Sequence, residues 1–284
     1  MNSEVVSTNN EVVVVIGAGG IGQAIARRQG SGRSVLLADL NEETLGGAAA
    51  AMRAAGHNVA TQRVDVSSRE SVRALASAAA ERGDVVQVVD TAGLSPVQAS
   101  PRAILAVDLL GVALVLEEFG RVIAPGGAGL VVSSMAGHML PPLESSQEDA
   151  LAHTPADELL HLPFLGEEAV PHSAAAYAMS KRANHLRVQA EGVLWGDRGA
   201  RVNSVSPGII LTPLAQEEMA SEGGQVYRSM IDASAAGRVG TTDEIAAAAA
   251  FLLGPDATFV TGSDLLIDGG VIAAIRAGRL ELPG

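Results

Sequence analysis

Short β-branched runs alternate along the chain with alanine-rich stretches whose apolar positions recur at helical spacing. The runs "VVVVI" (12–16), "SVLLAD" (34–39), "NVATQRVDV" (58–66) and "VVQVVDTAG" (85–93) read as strands, as do "GLVVSS" (129–134), "RVNSVSPG" (201–208) and "DLLID" (264–268). The stretches between them read as helices: "IGQAIARRQG", "NEETLGGAAAAMRAAG", "SSRESVRALASAAAERG", residues 101–120, the long "SAAAYAMSKRANHLRVQAEGVLWGD" and residues 242–253. Apolar strands that alternate with helices predict a parallel sheet covered on both faces. The expected fold is therefore α/β, a single doubly wound Rossmann-type domain of about seven strands over 11–284, preceded by a polar, frayed tail at 1–10.

Composition narrows the partners. Net charge is −13, from 19 basic and 32 acidic residues, which disfavours a nucleic-acid partner. No apolar run approaches the ~20 residues of a membrane span, so no membrane partner is expected. The chain has no cysteine, which removes disulfides, thiolate nucleophiles and zinc–sulfur sites. "MNSEVVSTNN" lacks the form of a signal peptide, and a cytoplasmic location is the expectation. Aromatics make up only 2% of the chain, so aliphatic side chains and alanine must fill the core.

Two local patterns carry chemistry. "VVVVIGAGGIGQAIA" sets Gly17, Gly19, Gly20 and Gly22 between a strand and a helix, with the spacing G-x-G-x-x-G. Such a turn lets backbone approach a pyrophosphate at a helix N-terminus, or it serves only to pack helix on strand. Asp39 ends the second strand at about the ~20-residue distance expected of a ribose-binding acid, and it would repel a 2′-phosphate. The alternative for Asp39 is an ordinary turn or N-cap aspartate. Together the two features predict NAD(H) in preference to NADP(H). The second pattern is "YAMSK": Tyr177 and Lys181 stand four apart, on one face of a helix. A cation beside a phenol favours phenolate, and a phenol tuned towards neutrality can exchange a proton with a substrate oxygen. The bland alternative is a half-buried aromatic beside a solvated charge.

Taken in order, these pieces resemble the short-chain dehydrogenase/reductase family, from about Val12 to Gly270. Tyr177 and Lys181 match its Tyr-x-x-x-Lys pair, and Ser134 in "VVSSMAG" matches its catalytic serine. The resemblance implies that Tyr177 moves the proton at the substrate oxygen. It also implies that Lys181 holds ribose hydroxyls and lowers the tyrosine pKa, while Ser134 steadies the substrate oxygen. The cofactor site it implies contains the glycine turn with Ile21, then Asp39 and Leu40 at the ribose, and Asp65 and Val66 on the adenine side. Thr91, Ala92 and Gly93 line the middle, and Pro207, Gly208, Ile210 and Thr212 of "RVNSVSPGIILTP" follow the sixth strand, the last two approaching the nicotinamide, with Tyr177 and Lys181 completing the set. A homodimer or homotetramer is expected on the same ground.

The chain departs from the family pattern in several places. Its glycine turn is one residue short. "DTAG" stands for Asn-Asn-Ala-Gly, so that Asp90 and Thr91 replace asparagines. Asp108 of "VDLLG" stands where the family has a catalytic asparagine and is placed with the catalytic set, although it has no N–H₂ donor. Extra residues, at about 139–172, separate Ser134 from Tyr177. That insertion, a shortened loop after Gly93 and the ending "LIDGGVIAAIRAG" are similar to the branch of bacterial 3α-hydroxysteroid dehydrogenase/carbonyl reductases. Within the insertion, Ser145-x-x-Glu148 and Thr154-Pro155 predict two short helices. Their leucines, with Phe164, read as a lid over the nicotinamide end, as a subunit interface or as simple packing. His138, His153, His161 and His172 form no metal-ligand pattern, and no metal is expected. The function these features imply is interconversion of a secondary alcohol and a ketone on a small hydrophobic molecule. The alternatives are a 3-ketoacyl-thioester reductase or a non-catalytic dinucleotide sensor.

Overall fold

The computed structural model describes residues 10–97, 99–220 and 224–280. All of the expected N-terminal tail except Asn10 lies outside the described residues. Seven parallel strands form one sheet in the order β3-β2-β1-β4-β5-β6-β7. They are β1 (Glu11–Ile16), β2 (Ser34–Asp39), β3 (Asn58–Arg63), β4 (Asp84–Asp90), β5 (Ile123–Val132), β6 (Arg201–Pro207) and β7 (Asp264–Ile267). The order reverses between β1 and β4, and the strand ends there open a crevice, the usual binding position in doubly wound sheets.

Alternation along β1 sorts the core. Val12, Val14 and Ile16 face one layer, which holds α3 (Arg69–Arg82), α5 (Val112–Gly120) and the long α8 (Ser173–Gly196). Val13 and Val15 face the other, with α1 (Gly20–Gln29), α2 (Glu42–Ala54) and α11 (Thr242–Leu253). The single Trp195, in the last turn of α8, is buried and donates to Leu116 O at 3.2 Å, tying α8 to α5.

Three details differ from the reading of the sequence. Residues 101–120 are helical as expected, but α4 (Pro101–Ile104) and α5 are joined by a π-helical stretch, Leu105–Gly111, that contains Asp108. β5 starts well before residue 129, because it runs through a register irregularity opposite Val85–Gln87 that interrupts its apolar pattern. The helices α9 (Pro213–Ala220), α10 (Gly224–Ala233) and α12 (Val271–Arg276) have no counterpart in the sequence reading. α10 and α12 rest on a small separate cluster of Met135, Ile209, Met230, Val271 and Ile272.

The insertion does form two helices, α6 (Ser145–His153) and α7 (Ala156–Leu159), followed by a 3-10 turn at Pro163–Leu165. The cap of α6 is Glu144 with Gln147, one residue ahead of the expected Ser145-x-x-Glu148. Leu151, Leu159, Leu165 and Val170 belong to the main core. Leu159, expected on the face of a lid, is 0% exposed. Buried Arg187 of α8 donates to Leu151 O and Thr154 O at 3.2 and 2.8 Å, and Ala156 N donates to Glu117 Oε1 at 2.9 Å. Arg69 joins Glu117, Glu118 and Asp157, and Arg182 pairs with Glu148. The segment is thus fastened along α3, α5 and α8. Among the described residues, no helix is long and apolar enough to cross a membrane.

Candidate active site

The glycine turn between β1 and α1 is shaped by two close approaches. Gly17 has φ +94°, and a Cβ there would fall 2.4 Å from Thr91 Oγ1. A Cβ on Gly22 would fall 1.9 Å from Gly17 O, so only glycine lets α1 seat against the turn. Gly19 is different. It caps α1 with no side chain, and a Cβ there would meet nothing within 4 Å. The N-terminus of α1 therefore faces open space with free backbone donors and the positive end of the helix dipole, which suits a pyrophosphate.

That space belongs to a groove of about 740 Å³. Gly17, Gly19, Gly20, Ile21 and Gly22 line it with Asp39, Leu40, Asp65, Val66, Thr91, Ala92, Gly93 and Thr212. The sequence reading missed Asn41, Val64, Leu94 and Val107, which also line it. Asp39 Oδ2 accepts from Ala18 N at 2.7 Å and Oδ1 from Asn41 N at 2.8 Å, so the carboxylate is held rigidly at the groove wall. Thr91 Oγ1 lies 3.0 Å from both Ile16 O and Gly17 O. Its hydroxyl braces the turn, and what it offers the groove is backbone. Pro207, Gly208 and Ile210 do not line this groove. Ile210 lies in the core and borders a separate cavity of about 200 Å³ with Ile245 and Arg238. Its side chain packs beneath Gly240. The open glycine cradle and the fixed carboxylate fit an NAD(P) dinucleotide.

Gly93 brings the groove close to the buried charges of the site. A Cβ there would lie 3.3 Å from Asp108 Oδ2 and 3.4 Å from Lys181 Nζ, so a bare backbone lets the groove reach these charges. Lys181, the chain's only lysine, is 3% exposed. Its Nζ stands 3.2 Å from Asp108 Oδ2 and 5.2 Å from the centroid of the Tyr177 ring. Asp108 is fully buried, and its Oδ1 accepts from Leu94 N at 2.8 Å. Burial opposes the charge on Lys181, but Asp108, Tyr177 and Asp90 outweigh it and hold its pKa above the ordinary value. Burial pushes the Asp108 carboxyl up against the pull of Lys181, and it pushes Asp90 up to about 7.

β5 delivers Ser134 beside α8. Ser133 Oγ donates to Lys181 O at 2.9 Å, which pins the strand end to the helix that carries Tyr177. Ser134 Oγ accepts from Ala136 N at 3.2 Å and caps the 3-10 turn Met135–His138. That turn ends in a buried network the sequence did not reveal. His138 Nε2 meets Asp264 Oδ2 at 2.8 Å. Ser204 and Ser206 donate to Asp264 Oδ1 at 2.5 and 2.9 Å, and His185 Nε2 lies 2.9 Å from Ser206 Oγ. Burial lowers the pKa of His185 to about 4, so this imidazole is neutral. His138, His185 and Asp264 could offer ligand atoms to an ion. Their hydrogen bonds already satisfy one another, and they join the serine turn, α8, β6 and β7 into one block. The remaining insertion histidines lie apart: His161 and His172 are exposed, and exposed His153 lies 3.7 Å from Asp149.

Comparison with known proteins agrees with this geometry. A family model described as short chain dehydrogenase matches residues 11–146, and one described as enoyl-(acyl carrier protein) reductase matches residues 145–272. A short-chain dehydrogenase/reductase, bsc3, of Alternaria brassicicola is 42% identical over 93% of this chain and 97% of its own. Galactitol 2-dehydrogenase (L-tagatose-forming) of Cereibacter sphaeroides is 32% identical over 90% of this chain and 92% of its own. Among solved structures, a short-chain dehydrogenase/reductase from Serratia marcescens superposes with a TM-score of 0.73 at 25% identity, covering 92% of this chain and 98% of that one. An actinorhodin polyketide ketoreductase variant solved with NADPH gives 0.72 at 26% identity, covering 92% and 97%. The chain belongs to the short-chain dehydrogenase/reductase family. It is an oxidoreductase of alcohols and ketones that uses an NAD(P) cofactor.

Proposed function

We propose that the chain interconverts a secondary alcohol and a ketone on a small apolar molecule, with NAD(H) preferred, and that Tyr177, Lys181, Ser134 and Asp108 carry the reaction. The observation that carries this reading is the buried Asp108–Lys181 ion pair facing the Tyr177 ring and lying beside Gly93, which lines the groove. NAD(P), when bound, supplies or accepts the hydride. Tyr177 gives its phenol proton to the carbonyl oxygen in reduction and takes the hydroxyl proton in oxidation. Lys181 presents a fixed positive charge to the phenol oxygen, and Ser134 donates to the substrate oxygen as charge develops there. Asp108 holds Lys181 against the burial that would otherwise discharge it.

The support for NAD(H) is Asp39. Its anchored carboxylate suits ribose hydroxyls and repels a 2′-phosphate. The support for an apolar substrate is the partly buried Met139, Val226 and Tyr227, which pack on the cluster that holds Met135, next to Ser134. The insertion and the C-terminal segment support a place near the 3α-hydroxysteroid dehydrogenase/carbonyl reductase branch. Exposed Val193, Leu194, Phe251 and Phe259 offer apolar surface that a homo-oligomer would cover.

Following NADH absorbance with alicyclic alcohols, polyols and acyl thioesters in parallel tests the reading. Apolar secondary alcohols should turn over best, and a clear preference for thioesters would replace it. Asp39→Ser should narrow the ratio of catalytic efficiencies with NADH and NADPH. A wild-type preference for NADPH would contradict the role given to Asp39.

A further inference from the structure

The site holds one more ionisable group than the proposed reaction uses. β4 ends on Asp90, which is 3% exposed and whose Oδ1 accepts from Ala92 N at 3.1 Å. Ala92 is followed by Gly93, where a Cβ would lie 3.3 Å from Asp108 Oδ2, on the π-helical stretch, and 3.4 Å from Lys181 Nζ, so Asp90 is held beside both charges. Asp108 Oδ2 is buried with no aligned hydrogen-bond donor, so its compensation is the charge of Lys181 at 3.2 Å. The charged groups acting on Asp90 are Lys181 of α8 and Asp108 of the π-helical stretch. Two buried carboxylates and one phenol therefore draw on a single ammonium. With both carboxylates ionised this buried set already carries a net negative charge, and a phenolate would add to it. Charges excluded from water interact several-fold more strongly than in water, so one member of the set keeps a proton.

We propose, resting on Tyr177 as the proton-transfer group, that Asp90 is a positioning residue that governs the Tyr177 proton through Lys181. When Asp90 is protonated, Lys181 answers to Asp108 alone, and its remaining field favours release of the phenol proton. When Asp90 is ionised, a second carboxylate competes for the same ammonium and Tyr177 keeps its proton. Burial sets the Asp90 transition near neutral pH, at about 7. Above it the chain holds Tyr177 as the acid that reduction needs and disfavours the phenolate that oxidation needs. The pair thus extends to higher pH the range over which reduction finds Tyr177 protonated, while the overall equilibrium, whose reduction direction consumes a proton, still moves towards oxidation as pH rises.

The chain's two tyrosines make the test direct. In a Tyr227→Phe background, phenolate absorbance reports Tyr177 alone. Asp90→Asn keeps an oxygen for Ala92 N–H and removes only the charge. It should move the Tyr177 ionisation down by about one pH unit. The alkaline limb of carbonyl reduction should move down with it. Asp108→Asn should also move the ionisation down, which keeps the test available if Asp90→Asn fails to fold by circular dichroism. A Tyr177 titration unchanged in the folded variants, or one that moves up, overturns the proposal. The readout needs no turnover. Full activity of Tyr177→Phe would instead remove the proton-transfer assignment, a separate failure.

Discussion

Asp108 Oδ2 stands 3.2 Å from Lys181 Nζ, a buried ion pair between the π-helical stretch and α8 that lies beside Gly93 of the groove. Asparagine at this position would leave the lysine charge without a counter-charge from that side chain. The aspartate supplies that counter-charge and helps hold the Lys181 pKa above its ordinary value. Breaking a buried pair by removing one member leaves an uncompensated charge. Lys181→Met should therefore destabilise the fold as well as impair nucleotide binding and turnover. Tyr177→Phe removes no charge. It should leave calorimetric NAD affinity nearly intact while turnover falls by ~10²-fold or more. Near-normal turnover would show that another group moves the proton.

The glycines of the turn divide into two kinds, and substitution should separate them. Gly22→Ala drives a Cβ to within 1.9 Å of Gly17 O and should lower the melting temperature sharply. Gly19→Ala meets nothing in the protein and should melt like the parent. It should still bind NAD more weakly, because the methyl enters the space in front of α1. Equal affinity of Gly19→Ala and parent would place the pyrophosphate elsewhere.

Leu159 is a core residue, so Leu159→Ala should cost about 2–5 kcal/mol in urea unfolding. The half-buried Phe164 at the 3-10 turn should cost less when replaced by alanine. A Leu159→Ala protein of parental stability that binds bulky substrates poorly would restore the idea of a lid at this residue.

Acid stability should show two opposed contributions. His185 is neutral in the fold down to about pH 4, whereas the unfolded chain binds its proton below ~6.5. This imidazole therefore removes stability as pH falls from ~6.5 towards 4. Asp90 keeps its proton in the fold up to about 7, while the unfolded chain releases it above ~4. It therefore removes stability as pH rises across the same window. Urea midpoints at pH 4.5 and 7 should reveal both. His185→Gln should become less acid-sensitive than the parent, and Asp90→Asn more so. The same pH slope in all three proteins would mean that neither group is perturbed as described.

Much of the frame was legible because its signals are local. A strand run, the G-x-G-x-x-G spacing, Asp39 at the end of β2 and the i, i+4 pair of Tyr177 and Lys181 each sit within a few residues of one element. What escaped lies between elements. Ser204 and Asp264 are 60 positions apart, and His138 and Asp264 are 126 apart, so no window of sequence shows that they meet. The packing of Ile210 under Gly240 and the burial of Leu159 escaped for the same reason: amphipathic spacing says that a side chain is covered, not by what. The π geometry around Asp108 escaped because residues 101–120 carry an ordinary helical pattern.

The fastening of the insertion has a consequence for how the chain tolerates change. With Leu151 and Leu159 sunk into the main core and Arg187 holding two of its carbonyls, the insertion is a fixed doorpost. α10 instead meets the body through α12 and the small apolar cluster around Met230. Backbone amides of 224–233 should exchange with deuterium before those of 145–159, where more of the chain is sunk in the main core. Changes to the post should mostly cost stability.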